Sequence, residues 1–106
     1  MARRLQGKVA LVVGAGCVGP GWGNGRAIAV RFAEEGAKVF AVDKNADAMT
    51  ETLGRVREFQ GTMNAYVGDA TDNASVKGMI DACVAAFGRI DILANCVGGS
   101  AHGGPV

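Results

Sequence analysis

The sequence predicts an α/β fold, a parallel sheet wound on both faces in the order β-α-β-α-β-α-β. Three observations predict it. Four short apolar runs recur at residues 8–13 (KVALVV), 38–42 (KVFAV), 64–67 (NAYV) and 91–94 (DILA). They start 30, 26 and 27 residues apart, the length of a βα unit. Between them, apolar residues follow the 3.6-residue period of a helix. Continuous apolar strands suit a parallel sheet covered on both faces, and helical crossovers between parallel strands are right-handed.

The first strand, 8–13, leads into residues 14–25, where six of twelve residues are glycine. A glycine-rich loop between strand and helix lets backbone approach a pyrophosphate. The helix N-terminus beyond it offers unpaired N–H groups and a partial positive charge. Any Cβ in such a loop would stand where the phosphate must go. Two readings of the glycines are open. Gly14, Gly16 and Gly19 fit a G-x-G-x-x-G dinucleotide fingerprint. However, Pro20 and then Gly21, Gly23 and Gly25 follow, and a helix interior loses about 3 kcal/mol at Pro and about 1 kcal/mol at each Gly. The second reading therefore starts the helix near Asn24, a residue type suited to an N-cap, and gives most weight to the last glycines.

In the first helix Ile28, Ala29, Phe32 and Ala33 share a face, and Gly36 is the expected stop. The second strand ends at Asp43. The second helix carries Met49, Leu53 and Val56 and is expected to close at Gly61. After the strand at 64–67, the third helix bears the stripe Val76, Met79, Ile80, Cys83, Val84 and Phe87. Thr71 or Asp72 can cap it, and Gly88 ends it in the left-handed conformation that glycine adopts cheaply. Residues 98–106 (GGSAHGGPV) read as a glycine-rich loop at which the chain stops. No helix follows to cover the fourth strand, and an uncovered strand edge is a liability. Residues 1–106 are thus expected to be the N-terminal part of a Rossmann-type dinucleotide-binding domain, its first half only, truncated after the fourth strand.

Composition narrows the partners. Glycine makes up 17 of 106 residues, more than twice the usual share of about 7%. Apolar residues at 49% and charged residues at 20% suffice for a packed core. Eleven Lys and Arg against ten Asp and Glu leave a net charge of +1, which lacks the basic footprint of a nucleic-acid binder. Cys17, Cys83, Cys96 and the lone His102 do not have zinc-ligand spacing, so no metal is expected. Three scattered cysteines suit a reducing cytoplasm. No apolar run reaches the ~20 residues that span a bilayer, so no membrane partner is expected.

The segment Gly23-Asn24-Gly25-Arg-Ala-Ile-Ala resembles the close of the T-G-x-x-x-G-x-G motif of short-chain dehydrogenases/reductases, and Gly14-Ala-Gly16 resembles its opening. This chain carries five extra residues between Gly14 and Gly23, with Val13 in place of the Thr and Asn24 where Ile is common. Asp43, 18 residues after Gly25, is placed to accept hydrogen bonds from the adenosine ribose hydroxyls and to repel a 2′-phosphate. That favours NAD over NADP. Asp69-Ala70 resembles the family's Asp-Val pair, which meets the adenine. Residues 88–98 (GRIDILANCVG) resemble G-x-I-D-x-L-V-N-N-A-G; Asp91, Leu93, Asn95 and Gly98 match, and Cys96 and Val97 replace Asn and Ala.

The resemblance implies a cofactor site built from Gly14, Gly16, Gly23, Asn24, Gly25, Asp43, Asp69, Ala70, Asn95 and Gly98. For the full-length parent it implies NAD-dependent interconversion of a small-molecule alcohol and ketone, in a homo-oligomer. The family's chemistry rests on a Ser and a Tyr-x-x-x-Lys pair beyond the fifth strand. Here the one tyrosine, Tyr66, is followed four residues later by Ala70, and Ser75 and Ser100 are the only serines. No catalytic residue is assigned, and the 106-residue chain by itself is expected to be inactive. Two alternatives stay open. One is a non-catalytic nucleotide-binding or interaction module; the other is a flavin or other dinucleotide protein using Gly14 to Gly19, against which Pro20 argues.

Overall fold

A computed structural model of the chain describes residues 4–15 and 24–96. Within them run β1 (Val9–Val13), α1 (Asn24–Glu34), β2 (Lys38–Asp43), α2 (Ala46–Arg57), β3 (Thr62–Val67), α3 (Asn73–Phe87) and β4 (Ile92–Asn95). All four strands pair in parallel, in the order β3-β2-β1-β4. The Rossmann-type half read from the sequence is therefore present. The expected loop at 98–106 lies outside the described residues.

Strand alternation sorts the core into two layers. Ala10, Val12, Val39 and Ala41 face α1 and α2, where they meet Ala29, Ala33, Met49 and Val56. Val9, Leu11, Val13, Phe40 and Val42 point to the other side, against Met79 and Cys83 of α3. Phe40 also holds two aromatic neighbours there, Tyr66 with ring centres 5.6 Å away and Phe87 edge-on at 6.2 Å.

Coverage on both faces holds for β1 and β2 but not for every strand. β1 is buried throughout, whereas β3 and β4 are half exposed. Among the described residues α3 is the one helix on that side, and it packs on the inner pair, β1 and β2. Leu93 of β4 is left 63% exposed, and on α3 only Met79 and Cys83 of the apolar stripe are buried.

Helix ends follow local chemistry. Gly36 and Gly88 adopt positive φ, as expected of helix stops. The end of α2 differs: Gln60, not Gly61, takes the left-handed conformation at φ 58°. Gly61 is needed for space instead, because a Cβ there would lie 2.7 Å from the Phe59 ring and 2.8 Å from Val56 Cγ1. Of the two candidate caps for α3, Asp72 accepts from the Ser75 N–H. Asn45 caps α2, accepting from the N–H groups of Asp47 and Ala48. The buried stripe of α2 is Met49, Thr52 and Val56; Leu53, expected in it, is only half buried.

Candidate functional site

Parallel register brings the expected site residues to one edge of the sheet. Val13 lies beside Val42 on one flank and Asn95 on the other, and Asp43 lies beside Val67. The carboxyl ends of β1, β2, β3 and β4 thus carry Gly14, Asp43, Gly68–Ala70 and Asn95 along one rim. β1 leads to β2 on one side of the sheet, while β3 crosses over to β4 on the other. A ligand crevice in an open α/β sheet forms at such a reversal, outside the strand ends.

The turn leaving β1 is held tightly. Gly14 has φ 85°, a conformation that costs any residue with a Cβ about 1–2 kcal/mol. Its N–H and that of Ala15 both donate to the Val42 carbonyl, at 2.7 and 3.0 Å. α1 then starts directly over this turn, because a Cβ on Gly25 would overlap the Gly14 carbonyl oxygen. Gly25 is therefore required for helix-to-strand contact, a different reason from the phosphate clearance expected of it. The first turn of α1 carries no acidic residue, so the positive end of its dipole is uncompensated by carboxylates. Asn24 opens α1; Gly16, Gly23 and Gly98 lie outside the described residues.

Behind the turn lies a buried polar chain that the sequence reading missed. Arg26 is only 3% exposed and Thr52 is fully buried. Arg26 Nε donates to Thr52 Oγ1 at 3.0 Å, and Thr52 Oγ1 donates to the Ala15 carbonyl at 3.0 Å. Arg26 Nη2 donates to the Ala48 carbonyl at 3.0 Å, and Nη1 lies 3.3 Å from the Glu51 carboxylate. The Arg55 hydrogen bond, with Arg26 adding its charge, holds the Glu51 carboxyl below its usual range. A buried guanidinium needs such partners. The only trace in sequence is that Thr52 falls at helical spacing from Met49 and Val56. Nothing local marks Arg26, because its partners lie more than twenty residues away.

Asp43 Oδ1 accepts from the Asn45 N–H at 3.0 Å, which orients the carboxylate at the end of β2. The Asp43 carbonyl accepts from the Gly68 N–H at 3.1 Å, tying the β3 exit to the same rim. Asp69 turns the chain toward α3: its Oδ1 accepts from both the Thr71 hydroxyl and the Thr71 N–H. Those two bonds, the hydroxyl first, lower its pKa below the ordinary carboxylate value. Ala70 and Asn95 meet at an apolar groove whose other walls include Val13, Met79 and Leu93. Cys96 follows, its N–H donating to the Val13 carbonyl at 2.8 Å and its thiol pKa raised by burial. Tyr66 belongs to the core layer under α3 rather than to this rim. Among the described residues no cluster of His, Cys, Asp and Glu could hold a metal, and no helix is long and apolar enough to cross a membrane.

Two features of the rim suit a dinucleotide: a carboxylate oriented at the end of β2, for a ribose diol, and a helix start free of acidic residues, for a pyrophosphate. Comparison with known proteins points the same way. The family model for short chain dehydrogenases matches residues 8–105. A D-threitol dehydrogenase from Mycolicibacterium smegmatis is 43% identical over 95 residues, 90% of this chain and 35% of that protein. Among solved structures, a short-chain dehydrogenase/reductase from Burkholderia xenovorans is 61% identical with a TM-score of 0.82, over 85% of this chain and 36% of that one. An NAD⁺-bound xylitol dehydrogenase is 41% identical with a TM-score of 0.74, over 85% of this chain and 33% of that one. A metagenomic short-chain oxidoreductase in complex with NADP is 26% identical with a TM-score of 0.76, over 85% of this chain and 38% of that one. The chain spans about a third of the length of these relatives.

Proposed function

The chain belongs to the short chain dehydrogenase family, and from that premise we propose that it grips the ADP-ribose half of NAD in an oxidoreductase that interconverts an alcohol and a ketone. The observation that carries this reading is the Asp43 carboxylate, oriented by Asn45 at the end of β2 and one strand from the Gly14–Ala15 turn. A carboxylate there accepts from ribose hydroxyls and repels a 2′-phosphate, so NAD is favoured over NADP.

Gly14 and Gly25 shape the turn on which the pyrophosphate would rest, with Gly16, Gly23 and Asn24 completing the loop. Ala70, the Asp69 turn, Asn95 and Gly98 would border the adenine and its ribose. When bound, the nicotinamide ring donates or accepts the hydride. The catalytic acid and base are not assigned to residues of this chain. Its work in this reading is to bind and orient, in the cytoplasm, as part of a homo-oligomeric enzyme whose second partner is a small-molecule alcohol or ketone.

Titrating the protein with NADH and with NADPH, followed by nicotinamide fluorescence, tests the proposal. Saturable binding of NADH with much weaker binding of NADPH is the expected result. A preference for NADPH would overturn the NAD assignment, and no binding of either would overturn the dinucleotide reading.

A further inference from the structure

We propose that Thr52 and Arg26 are positioning residues for dinucleotide binding, setting the place of the Gly14–Ala15 turn from behind. The inference rests on the binding reading above for its consequence, but its geometry stands without it. An arginine side chain has donors only, whereas a threonine hydroxyl has one proton to give. Because Arg26 Nε donates into Thr52 Oγ1 at 3.0 Å, the hydroxyl proton is left for the Ala15 carbonyl, also at 3.0 Å. The direction of the chain is thereby fixed: guanidinium to hydroxyl to backbone carbonyl.

That carbonyl belongs to the residue whose N–H donates to Val42. The Ala15 peptide groups are thus held on two sides, by β2 through Val42 and by α2 through Thr52. With both ends anchored, the turn cannot rotate without breaking a buried bond, and a buried unpaired group is costly. Arg26 is itself pinned to α2 through the Ala48 carbonyl and Glu51. The anchor therefore joins α1, α2 and the exit of β1. Arg26 also stands in the first turn of α1, where a cation opposes the helix dipole. Its engagement with α2 offsets that position.

The test separates hydroxyl from shape. Thr52→Val keeps the branched shape and removes the hydroxyl; Thr52→Ser keeps the hydroxyl and removes a buried methyl. Two readouts are taken: amide hydrogen exchange at Gly14 and Ala15 without ligand, and the Kd for NADH. Thr52→Val is expected to speed exchange at both amides more than at α3 amides and to weaken NADH binding about tenfold, the loss of roughly one buried hydrogen bond. Thr52→Ser is expected to lower the melting temperature yet leave both readouts near the parent values. Unchanged exchange in Thr52→Val overturns the positioning role. Faster exchange with unchanged NADH affinity overturns its consequence for binding, as does equal weakening by the serine variant. If the parent protein itself fails to bind NADH, the function proposed above fails, while the exchange measurement still decides whether Thr52 sets the turn.

Discussion

Asp91 and Val9 hold each other by two hydrogen bonds. The Val9 N–H donates to Asp91 Oδ2 at 2.8 Å, and the Asp91 N–H donates to the Val9 carbonyl at 2.8 Å. One residue, placed just before β4, thus satisfies both backbone groups of the first residue of β1. Arg89 closes the arrangement with two bonds to Asp91 Oδ1, at 3.1 and 2.7 Å. The β1–β4 pairing that carries Gly14 and Asn95 to the rim is therefore started by a side chain.

This pair makes stability depend on pH in a definite direction. The Val9 N–H first, and Arg89 second, hold the Asp91 carboxyl below its usual range. A carboxylate whose folded pKa is lowered stabilises the fold above its unfolded pKa of about 3.9, and the contribution fades as pH falls through the folded value. Urea unfolding of the parent and of Asp91→Asn should differ clearly at pH 7 and converge toward pH 3. A constant gap across that range would assign the loss to packing rather than to the charge.

Gly25 and Gly54 should respond oppositely to alanine. At Gly25 the new Cβ meets the Gly14 backbone, which cannot yield cheaply. Gly25→Ala is expected to destabilise by about 3 kcal/mol or more. Gly54 lies inside α2 with nothing within 4 Å of a built Cβ, so Gly54→Ala should stabilise by about 0.5–1 kcal/mol through helix propensity. Thermal melts of both variants read the contrast.

Gln60 holds φ 58° at the end of α2 without the advantage of glycine. Removing the Cβ relieves a left-handed penalty of about 1–2 kcal/mol, partly offset by the added freedom of the unfolded chain. Gln60→Gly should raise the urea midpoint modestly, and a lower midpoint would mean that the Gln60 side chain contributes contacts outweighing the strain.

Burial raises the thiol pKa of Cys83 and Cys96, and the thiolate is the reactive form. Iodoacetamide at pH 7.5 should label both slowly in the native protein and quickly in urea, with mass mapping of the peptides as the readout. Rapid native labelling at Cys83, which is fully buried, would contradict the packing of α3 on the sheet.

Much of this architecture was legible in the chain order of residues. The apolar runs marked each strand bound to within two residues, and Gly36 and Gly88 marked the stops of α1 and α3, whereas the left-handed residue after α2 is Gln60 rather than Gly61. Asn24 as the start of α1 followed from the cost of Pro20 and the neighbouring glycines in a helix interior. Asp43 was marked as a site residue by its place at the end of a strand after a glycine-rich turn, and the register puts it on the same rim as Asn95. Thr52 was legible only through its helical spacing from Met49 and Val56, and Arg26 not at all, because an arginine after a glycine has no local pattern that distinguishes it from a surface residue.

By itself the sequence determined the alternation of strands and helices, their approximate bounds and the end of the sheet at which Gly14, Asp43, Asp69 and Asn95 collect. These depend on hydrophobic period and on backbone conformations intrinsic to Gly, Pro, Asn and Asp, which act over a few residues. Tertiary structure alone decided that Gly25 serves the contact between α1 and the Gly14 carbonyl, that Arg26 and Thr52 become a buried strut to Ala15, and that α3 leaves Leu93 open while covering Leu11. Each of those outcomes requires groups far apart in the chain to reach contact distance, and burial then converts an ordinary polar residue into one that must be partnered.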